Sequence, residues 1–209
     1  MIYLILSIFA IFIILVINEF IWRKRKIHGE FSRKFVHLTV GSFVAFWPRY
    51  LSWTQIKLIG LIFLVSVIIS KKVKIFQAIH SVQRPTYGEA FFALAVIIVP
   101  FISQNKWVFT AAILQMSLAD GLAAIIGLRF GGKYSYIVLN HTKTLVGTLT
   151  FFIASLLILI GFVHYSGINL EFTTLLIISF ISSLLENIAI FGLDNLIVPL
   201  FIATLISHH

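Results

Sequence analysis

The chain has 209 residues, of which 60% are hydrophobic and 11% charged, with a mean hydropathy of +1.05. This balance excludes an ordinary soluble domain. The formal net charge of +9 then reads as membrane topology and not as nucleic-acid binding, and the absence of cysteine excludes disulfides and thiolate metal sites.

Repeated apolar runs divided by short polar segments predict an all-α fold. It is a polytopic transmembrane bundle of about seven spans plus a short C-terminal segment. No linker or low-complexity tract divides residues 1–209, so one integral membrane domain is expected. Span one covers about 2–22 and stops at Arg23-Lys24-Arg25-Lys26. Its N-terminus lacks a basic region and a small-residue cleavage site, which favours a retained span over a signal peptide. Spans two, three and four are expected at about 35–50, 56–70 and 90–103, with a basic loop containing Lys74, His80 and Arg84 before the fourth. Span five runs over 107–127, span six over 145–163 and span seven over 172–191. Residues 196–206 form a final short run, of a length that suits a tilted or partial eighth span.

Alternating spans place thirteen of the sixteen Lys and Arg residues on one side and only Arg49, Lys57 and Lys106 on the other. The positive-inside rule therefore predicts an outside N-terminus and cytoplasmic first loops. Of seven acids, only Glu171 falls on the outer side. An ionisable group within a span costs roughly 2.5 to 3.5 kcal/mol on insertion scales, so such groups are rare and usually functional. Asp120 and Glu186 lie within spans, and Glu89 and Asp194 at cytoplasmic span ends.

Four clusters carry this chemistry. Glu30, Arg33, Lys34 and His37 share one helix face at the entry of span two, through i, i+3, i+4 and i+7 spacing. Gln83 to Glu89 is a Pro/Gly turn that sets Glu89 at a helix start, where a carboxylate suits the dipole. The stretch Gly127-Leu-Arg-Phe-Gly131-Gly132-Lys133-Tyr134 nearly spells a phosphate loop. It follows a membrane helix and has Tyr where that loop needs Ser or Thr, so it is not one. Its glycines and Lys133 are nevertheless expected to admit an anion, with Lys143-Thr144 at the next helix start as a second cradle. A divalent ion on Asp120 would meet phosphates held there. Last, Glu186 and Asp194-Asn195 lie eight and nine residues apart, sharing a face if the helix runs through Gly192; Asn195 also reads as an ordinary N-cap residue.

Together these pieces resemble the CTP-dependent lipid kinase family of dolichol kinases, phytol kinases and yeast-type diacylglycerol kinases. The likeness runs from about Arg33 to Pro199. It is carried by R-K-x-x-H at Arg33 to His37, L-A-D-G-L-A-A-I-I-G at Leu118 to Gly127, and G-K at Gly132-Lys133. K-T-x-x-G-T at Lys143 to Thr148, which includes Thr144 and Gly147, and E-x(7)-D-N-x-x-x-P at Glu186 to Pro199 complete it. The resemblance implies γ-phosphoryl transfer from CTP to a lipid alcohol such as a polyprenol, phytol or diacylglycerol. It implies Mg²⁺ on Asp120 and Glu186, with Glu186 or Asp194 as further ligand or base. Arg33, Lys34, Lys133 and Lys143 would hold phosphate beside the Gly127, Gly131, Gly132, Thr144 and Gly147 backbone, with His37, Glu89 and Asn195 in support. The related phosphatidate cytidylyltransferases differ by an acid-rich C-terminal signature, leaving CDP-lipid synthesis as the alternative. A transporter with intramembrane acids as a proton relay is the second alternative.

Overall fold

Hydrophobic sequence with few helix breakers produces the long helices of this chain, whose computed structural model describes residues 2–25, 30–73 and 87–208. The loop residues Lys74, His80 and Arg84, together with Lys26 and His28, lie outside the described residues. Helix α1, Ile2–Arg25, is followed by α2, Glu30–Val44, and α3, Trp53–Val73. Then come α4, Gly88–Ile102, and α5, Lys106–Leu114, which continues through a π-helical turn, Gln115–Ala119, into α6, Asp120–Phe130. Strands β1, Ser135–Val138, and β2, His141–Thr144, form a hairpin before α7, Leu145–Ser166. Helices α8, Phe172–Ile188, and α9, Asp194–Ser207, complete the chain.

The fold is all-α and membrane-like, apart from the one hairpin among the described residues. Four helical stretches are long and apolar enough to cross a bilayer: Ile2–Ile21, Trp53–Ser70, Lys106–Phe130 and Leu145–Ser166. Helices α4, α8 and α9 are apolar but shorter. At 1.5 Å per residue, the 14 residues of α9 reach only about 21 Å, short of the ~30 Å hydrocarbon core.

Burial separates the helices into two roles. Only 11% of the α1 window is buried, against 61% for the α5–α6 stretch. Outer helices α1 and α3 present apolar side chains such as Phe9, Phe12, Leu61 and Ile68 outward. At the centre, α9 packs against α4 and α5, and α6 against α2 and α7. Their core contains fully buried Trp47, Phe109, Ile113, Phe151 and Ile202.

One crossing fixes the rest of the site. A Cβ added to Gly41 of α2 would stand 2.2 Å from Cβ of Ser117 in the π turn. Only glycine permits that approach, the close helix contact that small residues allow in membranes. Lys34 and Leu38 share a face with Gly41 at i, i+4 and i+7, and Leu38 sits against Gly121. The crossing thereby sets Lys34 opposite Asp120.

Candidate functional site

The polar centre grows from that crossing. Lys34 Nζ donates to Asp120 Oδ1 at 2.6 Å and to Oδ2 at 2.5 Å, and Asp194 Oδ2 lies 3.8 Å from the same ammonium. His37, one turn further along α2, places Nε2 3.7 Å from Asp120 Oδ2 and 2.9 Å from the Met116 carbonyl. Because a carbonyl only accepts, Nε2 carries the hydrogen in that contact. Arg33 pairs with Glu30 at 2.5 Å and stands 4.0 Å from Glu89. Thus Arg33, Lys34 and His37, set on one face by spacing, all reach the centre.

Asp120 owes its aim to the π turn. Its amide donates to the carbonyl of Gln115, five residues back, where an α-helix would use the residue four back. Such single-turn bulges concentrate at functional positions. The residue is 2% exposed, so its charge persists only with partners.

The C-terminal acids arrive by a different route from the expected shared helix face. Helix α8 ends at Ile188, and α9 starts afresh at Asp194. Between them Phe191 and Gly192 adopt φ of 55° and 87°. This left-handed pair, rare for a bulky residue, folds the chain back so that Asp194 approaches Glu186. Carboxylate oxygens of Asp120, Glu186 and Asp194 all lie within 4.8 Å of one another. Asn195 is not the N-cap that the sequence suggests; it lies inside the first turn of α9, and its amide donates to the Gly88 carbonyl at 3.0 Å. Its work is to tie α9 to the start of α4, beside Glu89.

Lys143 enters from the hairpin. The antiparallel register pairs Tyr136 with Lys143 and Val138 with His141. The connecting residues Leu139 and Asn140 both have positive φ, 47° and 64°, as a two-residue primed turn requires. Cross-strand partners share a face. Lys143 forms an ion pair with the Glu186 carboxylate and donates to the Glu186 carbonyl at 3.1 Å. Tyr136 donates to Asn187 Oδ1 at 2.5 Å, and Thr148 donates to the same oxygen at 3.2 Å. Burial opposes the Lys143 charge, but Glu186 beside it, with Asp194 and Asp120 beyond, holds its pKa above the ordinary lysine value.

These groups surround a cavity of about 260 Å³. Glu30, Arg33, Lys34, Asp120, Lys143, Glu186 and Asp194 supply its charged lining, and Gly127, Thr144 and Gly147 part of its wall. Gly131, Gly132 and Lys133 do not line it. Lys133 is exposed in a short 3-10 turn, Gly132–Tyr134, and Gly131 serves packing. A Cβ there would lie 2.4 Å from the Gly127 carbonyl oxygen and 2.5 Å from Thr144 Cβ. Thr144 itself caps α7, its hydroxyl accepting from the Gly147 amide at 3.1 Å. Sequence reasoning missed Tyr136, His141 and Asn187, and had Thr148 only as the end of the K-T-x-x-G-T motif. The aromatic and β-branched run Tyr-Ile-Val before Leu-Asn was the available signal for the hairpin that carries Tyr136 and His141.

The residues can hold a divalent cation on three carboxylates, neutralise an anion with three buried or half-buried cations, and accept a proton. Comparison with known proteins agrees with a phosphate chemistry. The chain is 33% identical over 182 residues to a phytol kinase from Synechocystis, covering 82% of this chain and 76% of that protein. It is 37% identical over 122 residues to an uncharacterised protein from Methanocaldococcus jannaschii, 58% of each chain. No protein-family profile matches the chain, and no solved structure does so.

Proposed function

The chain belongs to the family of polyprenol and phytol kinases, and from that premise we propose that it transfers the γ-phosphoryl group of CTP to the hydroxyl of a membrane lipid alcohol. One observation carries the reading: three carboxylates within 4.8 Å of one another share a cavity with the ammonium groups of Lys34 and Lys143 and the guanidinium of Arg33. Phosphoryl transfer asks for positioning and charge neutralisation more than for covalent chemistry, and this lining supplies both.

The donor set consists of carboxylate oxygens, which fits a hard divalent cation such as Mg²⁺. Asp120 and Glu186, with Asp194 adjacent, would hold it, and when bound it would offset charge on the phosphate oxygens. Lys34 and Lys143 lie in the same cavity as their carboxylate partners, so exchanging a carboxylate for a phosphate oxygen keeps each ammonium satisfied. Arg33 presents a planar fork suited to phosphate. In the reaction, the lipid oxygen forms a bond to the γ-phosphorus while the bond to the β–γ bridging oxygen breaks, releasing CDP. The hydroxyl proton passes to whichever of Glu186 and Asp194 is not engaged with the metal.

Charge bias supports placing this cavity on the cytoplasmic face, with the N-terminus outside. The chain has no cysteine, so single cysteines at Lys133 and Lys106 can be labelled without background; labelling of Lys106→Cys from the cytoplasm would reverse the orientation. The activity itself is tested with purified protein, labelled CTP, UTP and ATP, and a panel of lipid alcohols, with product masses determined. A lipid monophosphate with CDP release is expected. A CDP-lipid with pyrophosphate release would instead identify cytidylyl transfer and end the kinase assignment.

A further inference from the structure

The lining of the charged cavity divides by exposure. Asp120 and Lys34 are buried, whereas Leu128, His141, Thr142, Ala189, Ile190 and Phe191 line a more open part. Leu128 is 57% and Phe191 47% exposed. These residues come from the last turn of α6, the hairpin and the turn between α8 and α9. The hairpin segment Asn140-His141-Thr142 is polar, so this part of the cavity meets water and not hydrocarbon. Two of its residues carry rings. His141 and Phe191 stand at 87° with centroids 6.1 Å apart, which makes a corner and not a stack. Phe191 holds a φ of 55°, a region that a bulky residue rarely enters. Backbone contacts fasten the turn on both sides: the Phe191 carbonyl accepts from the Tyr87 amide at 2.9 Å, and the Ile190 carbonyl from the Leu193 amide at 3.0 Å. That fastening requires no aromatic side chain. A strained, half-exposed ring kept in a cavity wall points to contact with a ligand.

We propose that this corner seats the base of the nucleotide, with Phe191 supplying affinity for any base and His141 deciding which base is taken. Because the rings are perpendicular, a planar base laid against one meets the other across its edge. The phenyl ring has no hydrogen-bonding group, so it stacks without discriminating. An imidazole carries a donor and an acceptor and can tell an exocyclic amino group from an oxo group. His141 and Lys143, two positions apart in β2, share a strand face and both line the cavity. One face of the hairpin thus reads the base at His141 and the phosphates at Lys143. This proposal rests on the kinase reading and adds the residues that choose its nucleotide.

Equilibrium binding to the whole chain in detergent, with Mg²⁺ present, separates base from phosphate. The probes are CTP, UTP and inorganic tripolyphosphate, which carries the phosphates without a base. Phe191→Asn suits the left-handed turn better than phenylalanine does, so its unfolding temperature is expected to stay level or rise. It should weaken CTP and UTP alike by about tenfold and leave tripolyphosphate unchanged. His141→Ala should shift the ratio of CTP to UTP affinity by about tenfold. The corner is overturned if the wild type binds tripolyphosphate as tightly as CTP, or if Phe191→Asn weakens all three probes equally or none. An unaltered CTP to UTP ratio in His141→Ala overturns it as well. Lipid phosphate formed with either of those results leaves the kinase reading standing. Binding that behaves as expected, without phosphate transfer to any lipid alcohol, upholds the corner and overturns the kinase reading.

Discussion

Lys34 on α2 and Asp120 on α6, 86 positions apart in sequence, form a two-pronged buried ion pair, with the ammonium donating to both carboxylate oxygens. Removing one partner leaves the other charge buried and unpaired, at a cost of about 3–5 kcal/mol. Lys34→Met is therefore expected to lower the unfolding temperature in detergent. The double variant Lys34→Met/Asp120→Asn should recover most of that loss while remaining inactive. A double-mutant cycle by thermal unfolding checks the first part and lipid phosphorylation the second; recovery of activity in the double variant would remove the pair from the site.

Adjacent glycines give opposite expectations. Gly131→Ala drives a methyl into the Gly127 carbonyl and Thr144 and should destabilise by about 1–3 kcal/mol through overpacking. At Gly132 an added Cβ meets nothing within 4 Å, and Gly132→Ala should be neutral within ~0.5 kcal/mol. Equal melting temperatures for the two variants would contradict the close α6–α7 contact.

The basic residues of the same stretch should also diverge in kinetics. Lys133 points to solvent outside the cavity, so Lys133→Ala should change kcat/KM by no more than about twofold. Lys143→Met removes a cation held inside it and should cost on the order of 100-fold. A large loss at Lys133 would show that the Gly-rich turn closes over the nucleotide.

The raised Lys143 pKa sets a pH dependence for stability. A lysine whose folded pKa exceeds its unfolded value contributes stability that is complete below the unfolded pKa and fades as pH rises through the folded one. The melting-temperature gap between the wild type and Lys143→Met should therefore stay constant from neutrality to about pH 9.5. It should narrow only above the ordinary lysine value of 10.5. A gap that closes near pH 8 would mean that Glu186 and its neighbours do not stabilise the ammonium.

Metal binding is open to a test that needs no turnover. Ligand that binds only the folded protein stabilises it by about 2.7 kcal/mol at one hundred times its dissociation constant. Mg²⁺ with CTP should raise the unfolding temperature of the wild type, and Asp194→Asn should shrink that rise. An undiminished rise in Asp120→Asn, Glu186→Gln and Asp194→Asn alike would place the metal elsewhere.

Much of this arrangement was legible in the sequence because membrane physics makes charged residues conspicuous. Arg33, Lys34 and His37 followed from helical spacing, and the acids from the cost of charge in a span. The hairpin was not legible as such: its second strand, His141–Thr144, carries Thr and Lys where apolar residues would have declared it, and Leu-Asn is a weak turn signal. The packing role of Gly131 was not legible for a related reason. A glycine that lets a ligand approach and one that lets a helix approach look alike in sequence, and only Thr144 standing over Gly131 distinguishes them. Glu186 and Asp194 met as expected, but through a left-handed turn at Phe191 and Gly192, because local composition does not announce a reversal at a bulky residue.

The π turn at Gln115–Ala119 has a consequence for insertions and deletions. One residue advances an α-helix by about 100°, so the extra residue in that turn rotates everything after it relative to Lys106–Leu114. Helix α5 is thereby free to present its faces to α9 and the core, while α6 presents Asp120 to Lys34. Point substitution cannot easily undo such an offset, but loss of a single residue between Gln115 and Ala119 can. A chain shortened there would keep its length of apolar helix and its composition almost unchanged, yet carry its central carboxylate around to a neighbouring face.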